Sequence, residues 1–370
     1  MKGYVSKRCR YALGILKALV FNPKRIVDPA KSYYPECSHK SKSRIVFEQL
    51  LYVMKHGQVM RYTHGSGEYY LYGLDVKGTN PSNYITEEYN MAYLDYVQTH
   101  NPENNYIVTL SDKCLFAVIM HDNNMPIPAT YGMIRDGKLR LQGDYANVVP
   151  METILQKDCH LLCKPNRGHG GNGIITIHVS GGKLYRRGEV MGIDQFKEMV
   201  SGDTYLIQHY VENQHEAMAK LFPKVLNTLR VTMVRTDKGI ELLGVMCLMG
   251  SAGSEYSNWH FGGICISVDE EGRLRKYGFS NSERKITKHP NTGVVFEGYQ
   301  IPFYKETIDI CTKAMDVFYG MKTIGWDMAI TEEGPIFIEG NHGWGVAAHQ
   351  MVDQAGWSER YHKAFGIKQS

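Results

Sequence analysis

The stretch IGWDMAITEEGPIFIEGNHGWG, residues 324–345, decides how this chain is read. Two apolar runs flank a turn-forming TEEG, and inside those runs sit Asp327, Glu339 and Asn341. A buried charge without a partner is strongly disfavoured, so carboxylates in apolar strands need a reason. A three-residue loop, Glu332-Glu333-Gly334, pairs Thr331 with Pro335 and gives Gly334 the left-handed position such a loop requires. In that register Asp327 lies opposite Glu339, and Gly325 opposite Asn341. Side chains alternate along a strand, so Asp327, Glu339 and Asn341 share one face. Ile324, Trp326, Met328 and Ile330 share the other with Ile336 and Ile338, and this second face is core. Facing Cβ atoms are about 5 Å apart, so the two carboxylates repel unless a proton or cation lies between them. Oxygen-only ligands point to Mg²⁺, or Mn²⁺, with bound phosphates completing the shell. The plainer alternative is a solvated sheet face, and a one-residue slip would separate the acids.

A second signal lies upstream. KPNRGHGGNG holds Gly168, Gly170, Gly171 and Gly173 directly after Lys164. Its letters satisfy G-x-G-x-x-G, but the dinucleotide fingerprint requires a helix to follow. Here the β-branched run IITIHV follows, so the context is strand, loop, strand. Glycines let backbone N–H groups approach phosphate oxygens, and an ammonium adds a point charge. The competing reading is a surface hairpin with a glycine-rich tip.

The rest of the chain reads as α+β, mostly antiparallel from residue 106 onward. SKSRIVFEQLLYVMKHG is a helix ending at Gly57, and Thr86 caps a second helix with Glu87 and Glu88 in its first turn. Asn/Pro-rich THNPENN marks a boundary near residue 105. Ser111 is the expected cap of the next helix. NTLRVTMVRTDKGIELLGVMCLM and GGICISVDEEGRLRKYGF read as hairpins, and PFYKETIDICTKAMDVFYG as a helix.

With 370 residues the chain is long enough for two or three packed units. A net charge of +4 gives no nucleic-acid footprint. The first 25 residues nevertheless hold seven Lys/Arg and no acid. YALGILKALVF within them is too short to span a bilayer, which needs about 20 apolar residues. It is either a basic helix packed on the body or an interfacial helix touching anionic lipid through residues 1–27. FNPKR does not resemble a signal-peptide cleavage site. Eight scattered cysteines form no framework, and Cys159 with Cys163 is not a zinc pattern, so a cytoplasmic location is expected.

The order of these parts resembles the ATP-grasp superfamily. NTLRVTMV, GGICISVD, KHPNTG, IGWDMAI and GPIFIEGN look like the sugar-transfer-associated ATP-grasp family, over about residues 106–365. The resemblance implies an ATP-grasp fold, with two α+β subdomains gripping ATP behind a helix-rich N-terminal region. It places residues 106–208 in the first subdomain, 209–370 in the second, and leaves 1–105 as an acceptor-binding or membrane-proximal region. It implies that Lys113 and Lys164 contact the ATP phosphates and that Gly168 to Gly173 form a lid. Gln208 would face the adenine amino group, with the backbone around Tyr210 and Val211 beside the base. Ribose would be held by Glu212 or Glu216. Asp327, Glu339 and Asn341 would hold Mg²⁺, and Arg230, with Asn227 nearby, would face the transferred phosphoryl group. His260 and His289 are further pocket candidates, each equally readable as structural.

The implied reaction is ATP-dependent carboxylate–amine ligation through an acylphosphate, in cell-surface polysaccharide biosynthesis. An amino acid or other amine would join the carboxyl of a small-molecule or lipid-linked sugar, at the inner face of the membrane. Two alternatives stand beside it: a kinase acting on a sugar or small metabolite, and a non-catalytic nucleotide-binding module.

Overall fold

The computed structural model describes residues 2–22, 26–28, 32–34, 36–57, 60, 67–99, 106–168, 171–253, 262–281 and 283–367. Gly170 and His260, both singled out above, lie outside the described residues.

Two antiparallel sheets organise the chain. The first contains β1 (Thr130–Arg135), β2 (Lys138–Leu141), β3 (Asp144–Val149), β4 (Cys159–Pro165), β5 (Ile175–Ser180), β6 (Lys183–Arg186), β7 (Glu189–Met191) and β8 (Tyr205–His209). Their spatial order is β3-β2-β1-β8-β4-β5-β6-β7, so β8 returns to the centre between β1 and β4. The second contains β9 (Thr228–Thr236), β10 (Gly239–Met249), β11 (Ile264–Val268), β12 (Leu274–Phe279), β13 (Thr323–Thr331) and β14 (Gly334–Asn341), in the order β12-β11-β10-β9-β13-β14. The chain crosses between the sheets once, through residues 210–227. That crossing is tied to the β13–β14 turn, because His215 N–H donates to Ile330 C=O at 2.9 Å and Glu332 N–H to Asn213 C=O at 3.1 Å.

The helices are α1 (Lys2–Phe21), α2 (Lys42–His56), α3 (Gly67–Leu71), α4 (Glu87–Thr99), α5 (Val108–Ser111), α6 (Lys113–Asp122), α7 (Ile193–Met199), α8 (Glu216–Leu221), α9 (Tyr304–Val317), α10 (Val346–Asp353) and α11 (Ser358–Phe365). Gly57 ends α2 at φ 67°, and Thr86 Oγ1 accepts the Tyr89 N–H at the start of α4. The cap of α6 is Asp112 rather than Ser111. Its carboxylate accepts the Leu115 N–H at 2.9 Å, while Ser111 is spent in the preceding turn, α5. A carboxylate is the better cap here, because it also faces the positive end of the helix dipole.

Alternation gives the second sheet two different layers. Leu229, Val231 and Met233 on β9 point into a core shared with Trp326, Met328 and Ile330 on β13, and with Cys311, Ala314 and Met315 of α9. The other face is covered by α10, α11 and the region before residue 100. Met246, Cys265 and Phe279 from the sheet pack there with Tyr34, Tyr52, Tyr69 and Leu74. The N-terminal region therefore lies against the second sheet and shares a core with it. Gly356 shows how close the fit is: a Cβ there would lie 2.0 Å from the Asn83 carbonyl oxygen. Gly356→Ala is expected to cost about 1–3 kcal/mol, visible as a lowered midpoint in thermal unfolding.

The register of the opening stretch holds at its carboxylate end and differs at its turn. Asp327 pairs with Glu339, and Gly325 with Asn341. The turn is tighter than expected, because Thr331 pairs with Gly334 across two residues. A β-bulge between Asp327 and Met328 restores the register by placing one extra residue, Ile338, on β14. The bulge reverses the alternation on the turn side. Phe337, not Ile336 or Ile338, is the fully buried residue of β14, and it meets Trp326 edge-on at 5.1 Å. Gly334 sits at φ 126°, outside the left-handed helical region the longer loop would need.

Candidate active site

All nine residues of β13 are buried, Asp327 among them. Its carboxylate survives there because β9 runs alongside and sets Arg230 directly opposite Asp327. The guanidinium grips both oxygens, with Nε to Oδ1 at 2.5 Å and Nη2 to Oδ2 at 2.9 Å. Burial raises the Asp327 carboxyl and the Arg230 guanidinium works against it, with a net rise to about 6. Asn341 completes the group: its Nδ2 donates to Asp327 Oδ2 at 3.2 Å, to Glu339 Oε1 at 3.4 Å and to Gly325 C=O at 3.3 Å.

Glu339 is held differently. Burial works to raise it, but Lys113, Arg230 and Lys164 together overcome burial and keep it below the usual carboxylate range. Those cations come from three elements, α6, β9 and β4, and thus from both sheets and the helix that precedes the first of them. The cluster thus brings residues of the two sheets together, Lys164 of the first beside Glu339 of the second. Lys164 is buried, and that burial lowers its ammonium to about 8 against the opposing pull of Glu339. Lys113 Nζ donates to the Gly168 carbonyl at 2.7 Å, so it reaches the root of the glycine loop. Gly171 and Gly173 have φ of 84° and 76°, a backbone that other residues rarely adopt, and a Cβ at Gly173 would meet Pro165 at 2.9 Å.

Along β4, His160, Leu162 and Lys164 face away from the core that holds Leu161 and Cys163. Gln208 on β8 pairs with Leu162 and shares this face. Its Nε2 donates to Pro128 C=O at 3.3 Å, while its Oε1 is buried without a hydrogen-bond partner. A buried acceptor left open is costly, and it suits a ligand that brings an amino N–H. Beyond Gln208 the Tyr210 ring stacks on His160, with centroids 4.2 Å apart. The Tyr210 N–H is already bonded to the His160 carbonyl at 2.8 Å, so Tyr210 offers its ring rather than its amide. Val211 follows on the crossing segment, half-buried. A cavity of about 740 Å³ opens here, lined by His160, Thr176, His178, Tyr210, Arg186 and Lys224 among others.

The remaining expected residues divide. Glu212 lines the same edge and accepts from His160 Nδ1 at 2.8 Å. Glu216 is turned to its own helix, paired with Lys220 at 2.6 Å. Asn227 is taken up by bonds within the chain. Fully buried, it donates to Met218 C=O at 2.9 Å and to Phe222 C=O at 2.8 Å, and accepts from Gly250 N–H at 3.3 Å. Its position before Thr228, where the chain enters β9, explains this: it braces that entry. His289 belongs to the same brace, fully buried against Phe222 and bonded through Nε2 to the Gly250 carbonyl at 2.8 Å.

Three features escaped sequence reading because their partners are remote. Asn166 ties the glycine loop to the start of α6, accepting the Cys114 N–H at 2.9 Å and donating to Asp112 at 2.8 Å. His349 lies under the Arg230 strand, bonded to Thr232 Oγ1 at 2.9 Å and stacked on Trp357. Finally, α4 clamps the loop that follows Asn341. Asn90 donates to Trp344 C=O at 2.7 Å, Gln98 to His342 C=O, and Glu87 Oε2 accepts the Ala347 N–H at 2.9 Å.

Glu87 makes this clamp pH-dependent. Burial raises its carboxyl to about 7, against backbone bonds from Ala347 and Val346 that favour the ionised form. A raised folded-state value means that the folded chain holds the extra proton between the unfolded value and about 7. The contribution of Glu87 is therefore full below the usual carboxylate range and is lost as pH rises through 7. Glu87→Gln is expected to flatten that segment of the stability–pH curve, measured by thermal melts from pH 5 to 8.

A model of the sugar-transfer associated ATP-grasp family matches residues 92–365, from within α4 through α11. The chain belongs to this family. Its fold is thus α+β of the ATP-grasp type. Structures of similar shape include N5-carboxyaminoimidazole ribonucleotide synthetase in complex with ADP, at 11% identity over 77% of this chain and 60% of that one, with a TM-score of 0.44. D-alanyl-alanine synthetase A from Vibrio cholerae O1 biovar eltor gives 12% identity, 70% and 65% coverage, and a TM-score of 0.41. D-alanine–D-alanine ligase from Bacillus anthracis gives 13%, 70%, 63% and 0.36. The ATP-grasp chain described here spans less than two thirds of the length of each of these proteins. Among curated proteins none matches the chain closely enough to count as a relative.

Proposed function

We propose that this chain is an ATP-dependent carboxylate–amine ligase, joining an amino acid or other amine to a sugar carboxylate for a surface polysaccharide. The observation that supports it best is the convergence of Lys113, Lys164 and Arg230 on Glu339. Three cations around one ionised carboxylate is a site prepared for polyanionic substrate and divalent metal together.

The donor set suits a hard cation, since Asp327, Glu339 and Asn341 offer oxygen only. Mg²⁺, or Mn²⁺, would be held by Glu339 and Asp327 and would neutralise charge on the triphosphate. Asn341 is the residue that serves both states. Without a cation its Nδ2 faces the carboxylates, and a flip of the amide turns Oδ1 toward them when a cation is present. Arg230 bonds both Asp327 oxygens, which leaves lone pairs on them with which a cation would be held. Arg230 would thus sit beside the cation and face the transferred phosphoryl group. Lys164 and Lys113 would hold the phosphates, and the glycine loop would close over them to exclude water from an acylphosphate. The open acceptor Gln208 Oε1 fits the adenine amino group, with the Tyr210 ring beside the base and Glu212 near the ribose.

In this reading the acceptor is a uronic acid carried on a small or lipid-linked sugar, and nucleic acid is not a partner. The enzyme works in the cytoplasm, where ATP is abundant, at the inner face of the membrane. No helix among the described residues is long and apolar enough to cross it. A product assay separates the readings. A ligase releases ADP and free phosphate only when carboxylate and amine are both present. ADP without free phosphate would indicate a kinase, and no turnover with any pair would indicate a binding module. A screen of uronic acids against amino acids, read as phosphate release, names the substrates.

A further inference from the structure

Charge is unevenly placed along this chain. Residues 1–56 hold twelve Lys/Arg against three Asp/Glu, whereas the whole chain holds 42 against 38. The rest of the sequence is therefore slightly acidic, and the excess positive charge falls in the segment that contains α1 and α2. α1 contains no acid. The single acid of α2, Glu48, is buried and bonded to Lys40 at 2.7 Å and to Arg44 at 2.7 Å.

The same two helices expose apolar side chains. α1 packs one face on α2, through Ile15 against Val53, with Tyr11, Ala18 and Leu19 alongside Val46 and Leu50. Its opposite face leaves Leu13 at 52%, Leu16 at 48% and Val20 at 76% exposed, at helical spacing, with Phe21 at 84%. On α2 the stripe Phe47, Leu51 and Met54 is about half exposed in the same way. Arg10 and Lys17 flank the α1 stripe and are exposed. Scattered single apolar residues need no explanation, but two helical stripes rimmed by bases do.

We infer that α1 and α2 form a docking surface for an anionic lipid membrane. Apolar stripes enter the boundary between headgroups and acyl chains, and the flanking bases meet lipid phosphates. A second copy of this chain fits less well, because a symmetric contact would set basic helix against basic helix. This inference does not depend on the ligase reading, and its test uses no substrate.

The experiment is co-sedimentation of the full chain with vesicles of phosphatidylcholine alone or mixed with phosphatidylglycerol. Wild type is expected to partition at least tenfold better onto the anionic vesicles, with binding that weakens as salt rises. A Leu16→Glu/Val20→Glu double variant, altered only at exposed positions, is expected to lose tenfold or more of that partitioning with an unchanged circular dichroism spectrum. An Arg10→Glu/Lys17→Glu variant keeps the stripe and is expected to lose the preference for anionic over neutral lipid. Absence of binding to anionic vesicles at low salt would overturn the inference. So would a concentration-dependent dimer in vesicle-free sedimentation that the Leu16→Glu/Val20→Glu variant abolishes, since the stripe would then serve a second copy.

Discussion

Glu339→Gln is expected to lose ATP turnover by about 10²-fold or more, with a modest fall in thermal midpoint. Among the described residues the cations that act on Glu339 do so through space, and the buried Lys164 loses the carboxylate that offsets its charge. An amide of the same size removes the charge without opening a cavity. Asp327→Asn is expected to lose turnover too, with a larger loss of stability. Arg230 is bonded to both Asp327 oxygens, and its own side chain is only 19% exposed. Taking away one partner of a buried pair leaves an uncompensated charge, at a cost of about 3–5 kcal/mol. Steady-state ATPase or ligase rates beside urea unfolding of the two variants check both statements. Full activity in both would remove the metal assignment.

Lys164→Met is expected to move function and stability in opposite directions. Burial lowers the Lys164 ammonium from its ordinary range to about 8. A lowered value means that the unfolded chain binds more protons than the folded one between about pH 8 and the ordinary lysine value. Stability from this group therefore rises with pH across that window, and at neutral pH the buried charge is a cost. Replacing it with methionine removes roughly 3 kcal/mol of that cost at most and flattens the rise above pH 8. The same change removes the cation proposed to hold the phosphates, so ATP affinity should fall by about tenfold to 10²-fold. Thermal melts from pH 7 to 10 and nucleotide titration by calorimetry measure the two effects. A variant that binds ATP normally would show that Lys164 is a structural residue.

The Glu87 clamp ties the same site to the N-terminal region. Residues 1–105 read in sequence as a separate acceptor-binding or membrane-proximal region, because nothing in α4 reveals that its polar face is buried. Asn90 and Gln98 look like ordinary helix-surface residues. They become buried only when Trp344 and His342, more than 240 residues later, arrive beside them. Asn227 misled in the opposite sense. Its closeness to Arg230 in sequence suggested a shared role, but strand alternation and the turn before β9 send the two side chains to different surroundings.

Local periodicity carried most of the fold. Hairpins at residues 228–249 and 264–279, the caps of α2 and α4, and the strand–loop–strand around the glycines were all legible, because each depends on residues within one or two turns of chain. So was the pairing of Asp327 with Glu339 and Asn341 on one face of β13 and β14, even though the turn proved one residue shorter and a bulge at Ile338 made up the difference. A period of two tolerates that compensation, since one residue lost in the turn and one gained in the bulge return the ligands to the same face. What sequence alone did not decide was who those carboxylates would meet. Arg230 reaches Asp327 only because β9 chose β13 as a neighbour, and Lys113 and Lys164 act on Glu339 only because α6 and the first sheet come close to β14. Short-range patterning fixes which way a side chain points. The partner waiting there is set by the packing of whole layers, to which every residue of the core contributes.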